Sequence, residues 1–179
     1  MPRLLLAVFG LALLALPARA DLLGSLLAGA WFYGGTATPY EAYSLTPDPF
    51  TVGAGQEAVL VVDYTVTTLV DVGASAVVLT AGTQVDYGMA AFNGLGLTML
   101  SGPGFGPAFS VIGSAGQAVT AFLQGNTLFI DLAGQHFEVG DTVTVDFAAV
   151  VPEPGALLLL GAGLLGVLAL SRRRALLLR

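Results

Sequence analysis

Val143-Thr144-Val145-Asp146-Phe147 alternates apolar and polar residues. A two-residue period sends Val143, Val145 and Phe147 to one face of a strand and Thr144 and Asp146 to the other. The stretch therefore reads as a half-buried β-strand. Working outward, Ala58 to Thr67 is rich in β-branched residues and reads as one further strand, with Leu60, Val62, Tyr64 and Val66 on a common face. Ala118 to Gln124 and Thr127 to Leu132 are two runs separated by Gly125-Asn126, a two-residue hairpin signal of the type II′ kind. Shorter strand-like runs lie at Tyr40 to Leu45, Ala76 to Thr80, Gln84 to Phe92, Leu95 to Leu100 and Phe109 to Ile112, with Gly and Pro in the gaps. Leu22 to Ala30 reads either as a short lead-in helix or as a strand. The predicted fold class is all-β, a sandwich or jelly roll of short antiparallel strands. Phe50-Thr-Val-Gly53 and Phe137-Glu-Val-Gly140 are a faint echo, and each leads toward a core strand, expected on facing sheets.

Charge is distributed in an unusual way. The basic residues are Arg3, Arg19, Arg172, Arg173, Arg174 and Arg179, all near the two ends, and there is no Lys. Of the carboxylates, only Glu153 falls outside the span from 21 to 151. That body is anionic apart from its N-terminus and His136, so it repels nucleic acid, and no nucleic-acid partner is expected. Its stability must come from burial and backbone pairing. The chain has no cysteine, which removes disulfides and thiol chemistry alike.

Both ends read as targeting segments. Residues 1–20 form a signal peptide, with Arg3 in the n-region, Leu4 to Leu16 as the apolar run and Ala18-Arg19-Ala20 as the cleavage site before Asp21. This implies passage through the Sec translocon and cutting by signal peptidase. Residues 21–151 form the extracytoplasmic β domain. Pro152-Glu153-Pro154 follows, stiffened by two prolines that keep it out of helix and sheet. Residues 155–171 read as a transmembrane helix, apolar from Gly155 to Leu170, and 172–179 as a basic cytoplasmic tail opened by Arg172, Arg173 and Arg174. The apolar run spans about 24 Å as a helix, short of a hydrocarbon core of about 30 Å, and snorkelling arginines make up the difference. The positive-inside rule leaves the domain on the periplasmic side.

Val-Pro-Glu-Pro, a Leu/Gly/Ala-rich helix and an Arg cluster, in that order, resemble the PEP-CTERM sorting signal of Gram-negative bacteria over roughly residues 151 to 174. Ala175 to Arg179 makes the tail longer than is typical. The resemblance implies recognition of Pro152, Glu153 and Pro154 by exosortase, a membrane cysteine transpeptidase. It further implies a cell-surface or extracellular destination and a structural or adhesive role in exopolysaccharide or biofilm.

The body offers little for catalysis. His136 alone titrates near neutrality, lies beside a turn and has no G-x-S-x-G elbow to serve. Clustered His or Cys for zinc are absent, and the carboxylates follow no calcium-loop spacing. Asp63 and Asp146 could act as a glycosidase pair only if folding brought them together. The Gly-rich loop from Gly102 to Gly106 lacks the Lys and helix of a phosphate cradle. No enzyme and no cofactor are expected. Trp31-Phe32-Tyr33, with Tyr40 and Tyr43, is the densest aromatic stretch. Trp31, Tyr33 and Tyr40 are candidates for stacking on sugar rings in a lectin-like module, or else are core and cross-strand pairs. A polysaccharide-acting enzyme is the third reading.

Overall fold

The computed structural model describes residues 21–62 and 65–147. The segments expected to be a signal peptide, a transmembrane helix and a basic tail, and the Pro152-Glu153-Pro154 motif, lie outside them. Arg19–Ala149 separates as one compact unit by its own contacts. Its described residues form strands and turns with no helix, and every strand pairing is antiparallel.

Five strands make the first sheet, in the order β10-β11-β8-β1-β3: Thr120–Gln124, Thr127–Asp131, Asn93–Ser101, Leu26–Tyr33 and Phe50–Thr51. Six make the second, in the order β2-β4-β5-β6-β13-β9: Tyr43–Thr46, Gln56–Val62, Thr65–Val72, Ala76–Ala81, Thr142–Phe147 and Phe109–Gly113. A two-stranded ribbon joins β12 (His136–Phe137) to β7 (Val85–Asp86). One buried cluster takes Leu27, Trp31, Leu95, Leu97, Leu128 and Ile130 from the first sheet, and Leu60, Val70, Val77, Leu79, Val143 and Val145 from the second. The two sheets therefore share a single core. Each such side chain contributes about 1.5–3 kcal/mol on full burial.

The alternation in β13 holds residue by residue. Val143, Val145 and Phe147 are buried, whereas Asp146 is exposed. The hairpin β10–β11 also forms as the dipeptide predicts: Gln124 faces Thr127, and Gly125 (φ +59°) occupies the first central position, where only glycine is at ease.

One open reading resolves in favour of a strand, and two expectations change. Leu22 to Ala30 contains no helix: Leu22 is buried, a turn follows, and β1 begins at Leu26. Ala58 to Thr67 is a hairpin rather than one strand, since Val61 faces Val66 and Val62 faces Thr65. The link, residues 63 and 64, lies outside the described residues. The faint echo also does not place its strands on facing sheets, because β4 and β13 belong to the same six-stranded sheet. Phe50 and Phe137 are both buried, but Val52 is buried where Val139 is exposed.

Several acids of this lysine-free body take backbone N–H groups as partners. Glu57 accepts from Gly53 N at 3.0 Å and from Val72 N at 2.6 Å. Asp131 Oδ1 accepts from Asn93 N at 3.0 Å and Ala133 N at 3.1 Å. These charge-assisted bonds do the tethering that cations do elsewhere.

Candidate functional site: a tyrosine cleft

Strand alternation at the end of β1 decides where the aromatics go. Trp31 turns to the core, and Phe32 turns to the opposite face, where it joins Phe92 and Phe129. Tyr33 comes after the last core layer and is 52% exposed. The chain then folds back: Phe32 bridges to Pro39, and Tyr40 N–H donates to the Trp31 carbonyl at 2.7 Å. That return sets the Tyr40 ring 5.7 Å from Tyr33 and 5.3 Å from Tyr43 at the start of β2.

Tyr87, just past β7, closes the opposite side. Its ring stacks on Trp31 at 5.2 Å with an interplanar angle of 25°. Trp31, Tyr33, Tyr40, Tyr43, Asp86, Tyr87, Gly88 and Asn93 together line a cleft of about 340 Å³. A neighbouring void of about 10 Å³, lined by Thr68, Tyr87 and Phe137 among others, has room for a single water.

Hydrogen bonds fix the floor. Trp31 Nε1–H donates to Asn93 Oδ1 at 3.0 Å, and Asn93 Nδ2 donates to the Gly88 carbonyl at 3.0 Å. The Tyr87 hydroxyl shares a bond of 3.0 Å with the Thr68 hydroxyl. Burial pushes the Tyr87 phenol up to about 12, only partly offset by the Thr68 bond, so Tyr87 stays neutral at physiological pH. At the rim, His136 Nδ1 meets Asp86 at 2.6 Å and Nε2 meets Glu138 at 3.1 Å. The Glu138 bond, followed by the Asp86 bond, raises the His136 pKa above its ordinary value. Both ring nitrogens are thus engaged by carboxylates.

Folding therefore gathers all three candidate stacking residues, with unequal roles. Tyr33 and Tyr40, 44% exposed, present ring surface to water. Trp31 does not: it is 1% exposed, with Tyr43 and Tyr87 packed against it, and serves as the floor rather than as a stacking platform. Such a cleft, aromatic with a few placed polar groups, suits a ligand with an apolar face and hydroxyl edges. Asp86, Tyr87 and Asn93 escape a reading of the sequence, because only long-range register brings them to β1. Tyr43 is closer in sequence and stands beside Tyr40.

The remaining candidates fall elsewhere. Asp146 is exposed on β13, and Asp63 lies outside the described residues. So do Ala18, Ala20, Pro152, Glu153, Pro154, Arg172, Arg173 and Arg174. Among the described residues no group of three His, Asp or Glu side chains is placed to hold a metal ion.

Residues 150–174 match the family model of the PEP-CTERM protein-sorting motif. The match includes Pro152-Glu153-Pro154, the apolar run and Arg172 to Arg174, and it supports export and sorting by exosortase. No curated protein and no solved structure matches the chain.

Proposed function

We propose that this is an exported protein of the cell surface or extracellular matrix, structural or adhesive among exopolysaccharides, which holds carbohydrate in its tyrosine cleft. In this reading the signal peptide and signal peptidase deliver the domain through the Sec translocon. The 155–171 helix then anchors the precursor in the inner membrane with the domain in the periplasm. Exosortase acts at Pro152-Glu153-Pro154, and the processed protein passes to the surface.

The observation that carries the binding role is the pair of exposed rings, Tyr33 and Tyr40, next to Asp86 and above a floor fixed by Trp31 and Asn93. A pyranose offers C–H groups to an aromatic face and hydroxyls to a carboxylate, and this cleft has both. An anionic body favours neutral or amino-bearing glycans over acidic ones.

Titration calorimetry of residues 21–151 against the exopolysaccharide of the producing cells tests the reading. Tyr33→Ala and Tyr40→Ala are each expected to weaken binding by about two- to tenfold without loss of fold. No heat of binding with the unaltered domain, or equal affinity in both variants, would remove the cleft from the proposal. Sorting is tested separately by intact mass. The secreted product should start at Asp21 and end near Glu153, and should disappear when Pro152, Glu153 and Pro154 are replaced by Ala. A product that keeps Arg172 to Arg174 would mean a permanent anchor.

A further inference from the structure

We infer that two copies of this domain pair through the free edge of β10, joining their five-stranded sheets about a two-fold axis at Phe122. The inference rests on backbone geometry and charge and is independent of the cleft.

β10 has one ladder, to β11, and ends its sheet. The direction of its backbone groups follows from its neighbours. Across β11, Met99 N–H donates to the Asn126 carbonyl at 2.9 Å and Leu132 N–H donates to the Asn93 carbonyl at 2.9 Å. Even-numbered residues of β11 therefore bond to β8 and odd-numbered ones to β10, because antiparallel partners alternate. Thr127, Phe129 and Asp131 face Gln124, Phe122 and Thr120 in the register, so those three residues of β10 turn their N–H and C=O groups inward. Ala121 and Leu123 turn theirs outward, with no bond to them among the described residues.

A bare edge of this kind is a template for another strand, and proteins usually blunt it with Lys, Pro or an inward charge. Thr120-Ala-Phe-Leu-Gln124 contains none of these. The free groups are also self-complementary. A two-fold axis at Phe122 sets Ala121 opposite Leu123 of the second copy and Leu123 opposite its Ala121. In that register each outward N–H meets an outward C=O.

Charge points to a second copy as the partner. The body carries no Lys or Arg, so another copy is repelled wherever acids lie. The strands of the five-stranded sheet hold a single carboxylate, Asp131, and β10 holds none. A like-charged partner can approach along such a strip, whereas a cationic one would be drawn to the acidic surfaces. Side chains agree with the register. Phe122 is 40% exposed and stacks on Phe129 at 5.3 Å on the outer face, with Phe92 edge-on at 6.1 Å. Pairing sets the two Phe122 rings side by side and makes the two aromatic patches continuous.

Residues 21–151, which contain every described strand and the core between them, are the material for the test. Light scattering after gel filtration should give twice the monomer mass, with the dimer fraction rising as salt screens the anionic repulsion. Ala121→Pro removes only an outward N–H and spares the ladder to β11, so it should give a folded monomer by circular dichroism. The chain is cysteine-free, and facing non-hydrogen-bonded residues have Cα atoms about 4.5 Å apart. Phe122→Cys should therefore oxidise to a disulfide-linked dimer, and Ile112→Cys on β9 should not. A monomer at every concentration and salt overturns the inference, as does a folded Ala121→Pro dimer. If Ala121→Pro does not fold, the cross-link decides: its formation at Phe122→Cys supports the pairing, and its absence overturns it.

Discussion

The indole N–H of Trp31 and the side-chain carbonyl of Asn93 lie 3.0 Å apart, joining the end of β1 to the start of β8 beneath the cleft. Both groups are buried. Trp31→Phe keeps a ring in the core but leaves Asn93 Oδ1 without its donor, a loss of about 1–3 kcal/mol. Trp31→Ala adds a cavity and should cost about 3–5 kcal/mol. Urea unfolding followed by circular dichroism checks both. Equal midpoints for Trp31→Phe and the unaltered domain would show that water replaces the bond.

Tyr87 and Thr68 form a second buried pair, hydroxyl to hydroxyl. Tyr87→Phe alone strands the Thr68 hydroxyl and should lower stability by about 1–3 kcal/mol. Thr68→Val alone strands the phenol to a similar extent. The double variant removes both polar groups and should recover much of the loss, so a thermodynamic cycle should show coupling. Simple additivity would mean that the two hydroxyls are independently solvated.

His136 is held by two acids, and its pKa is raised above 6.5, first by Glu138 and then by Asp86. A raised folded-state pKa means that the charged pairing is fully present below about pH 6.5 and is lost as pH climbs through the folded value. NMR titration of the imidazole should give a midpoint above the ordinary one. Glu138→Gln and Asp86→Asn should each bring it down. A midpoint unchanged in both variants would mean that neither carboxylate holds the ring in solution.

Gly94 and Gly96 lie in β8 where no side chain fits. A Cβ on Gly94 would collide with the backbone carbonyl of Ile130. One on Gly96 would stand 2.6 Å from the Phe32 ring and 3.1 Å from that of Phe129. Rings can shift more easily than a neighbouring strand, so Gly94→Ala should be the more damaging of the two. Gly96→Ala should cost about 1–3 kcal/mol. Thermal melting of the two variants side by side tests the order.

What could be read from the sequence depended on how local the signal was. β13 and the β10–β11 hairpin announce themselves because alternation and Gly125 act within a few residues. The β4–β5 hairpin does not, since Val61 and Val66 are apolar on both sides of a link with no glycine, and the run looks continuous. Gln84 to Phe92 shrinks to the two residues of β7, because the partner chain turns just before Gln135. Tyr87 N–H still donates to the Gln135 carbonyl at 2.9 Å, and the Tyr87 carbonyl accepts from Gly134 N–H at 2.8 Å. Trp31, Tyr33 and Tyr40 were visible as a cluster of aromatics. Their division into floor and walls was not, since it depends on β1 lying beside β8 and on the return through Pro39.

The domain that tethers its loops with carboxylates and backbone amides, and has no lysine or arginine, gains a property of another kind. Proteases that cut after basic residues find no target bond between Asp21 and Val151. That immunity belongs to the covalent chain and survives even when strands open. An extracellular protein in contact with trypsin-like enzymes would keep its body intact whether folded or not, since the bonds those enzymes could cut lie only before Asp21 and after Val151.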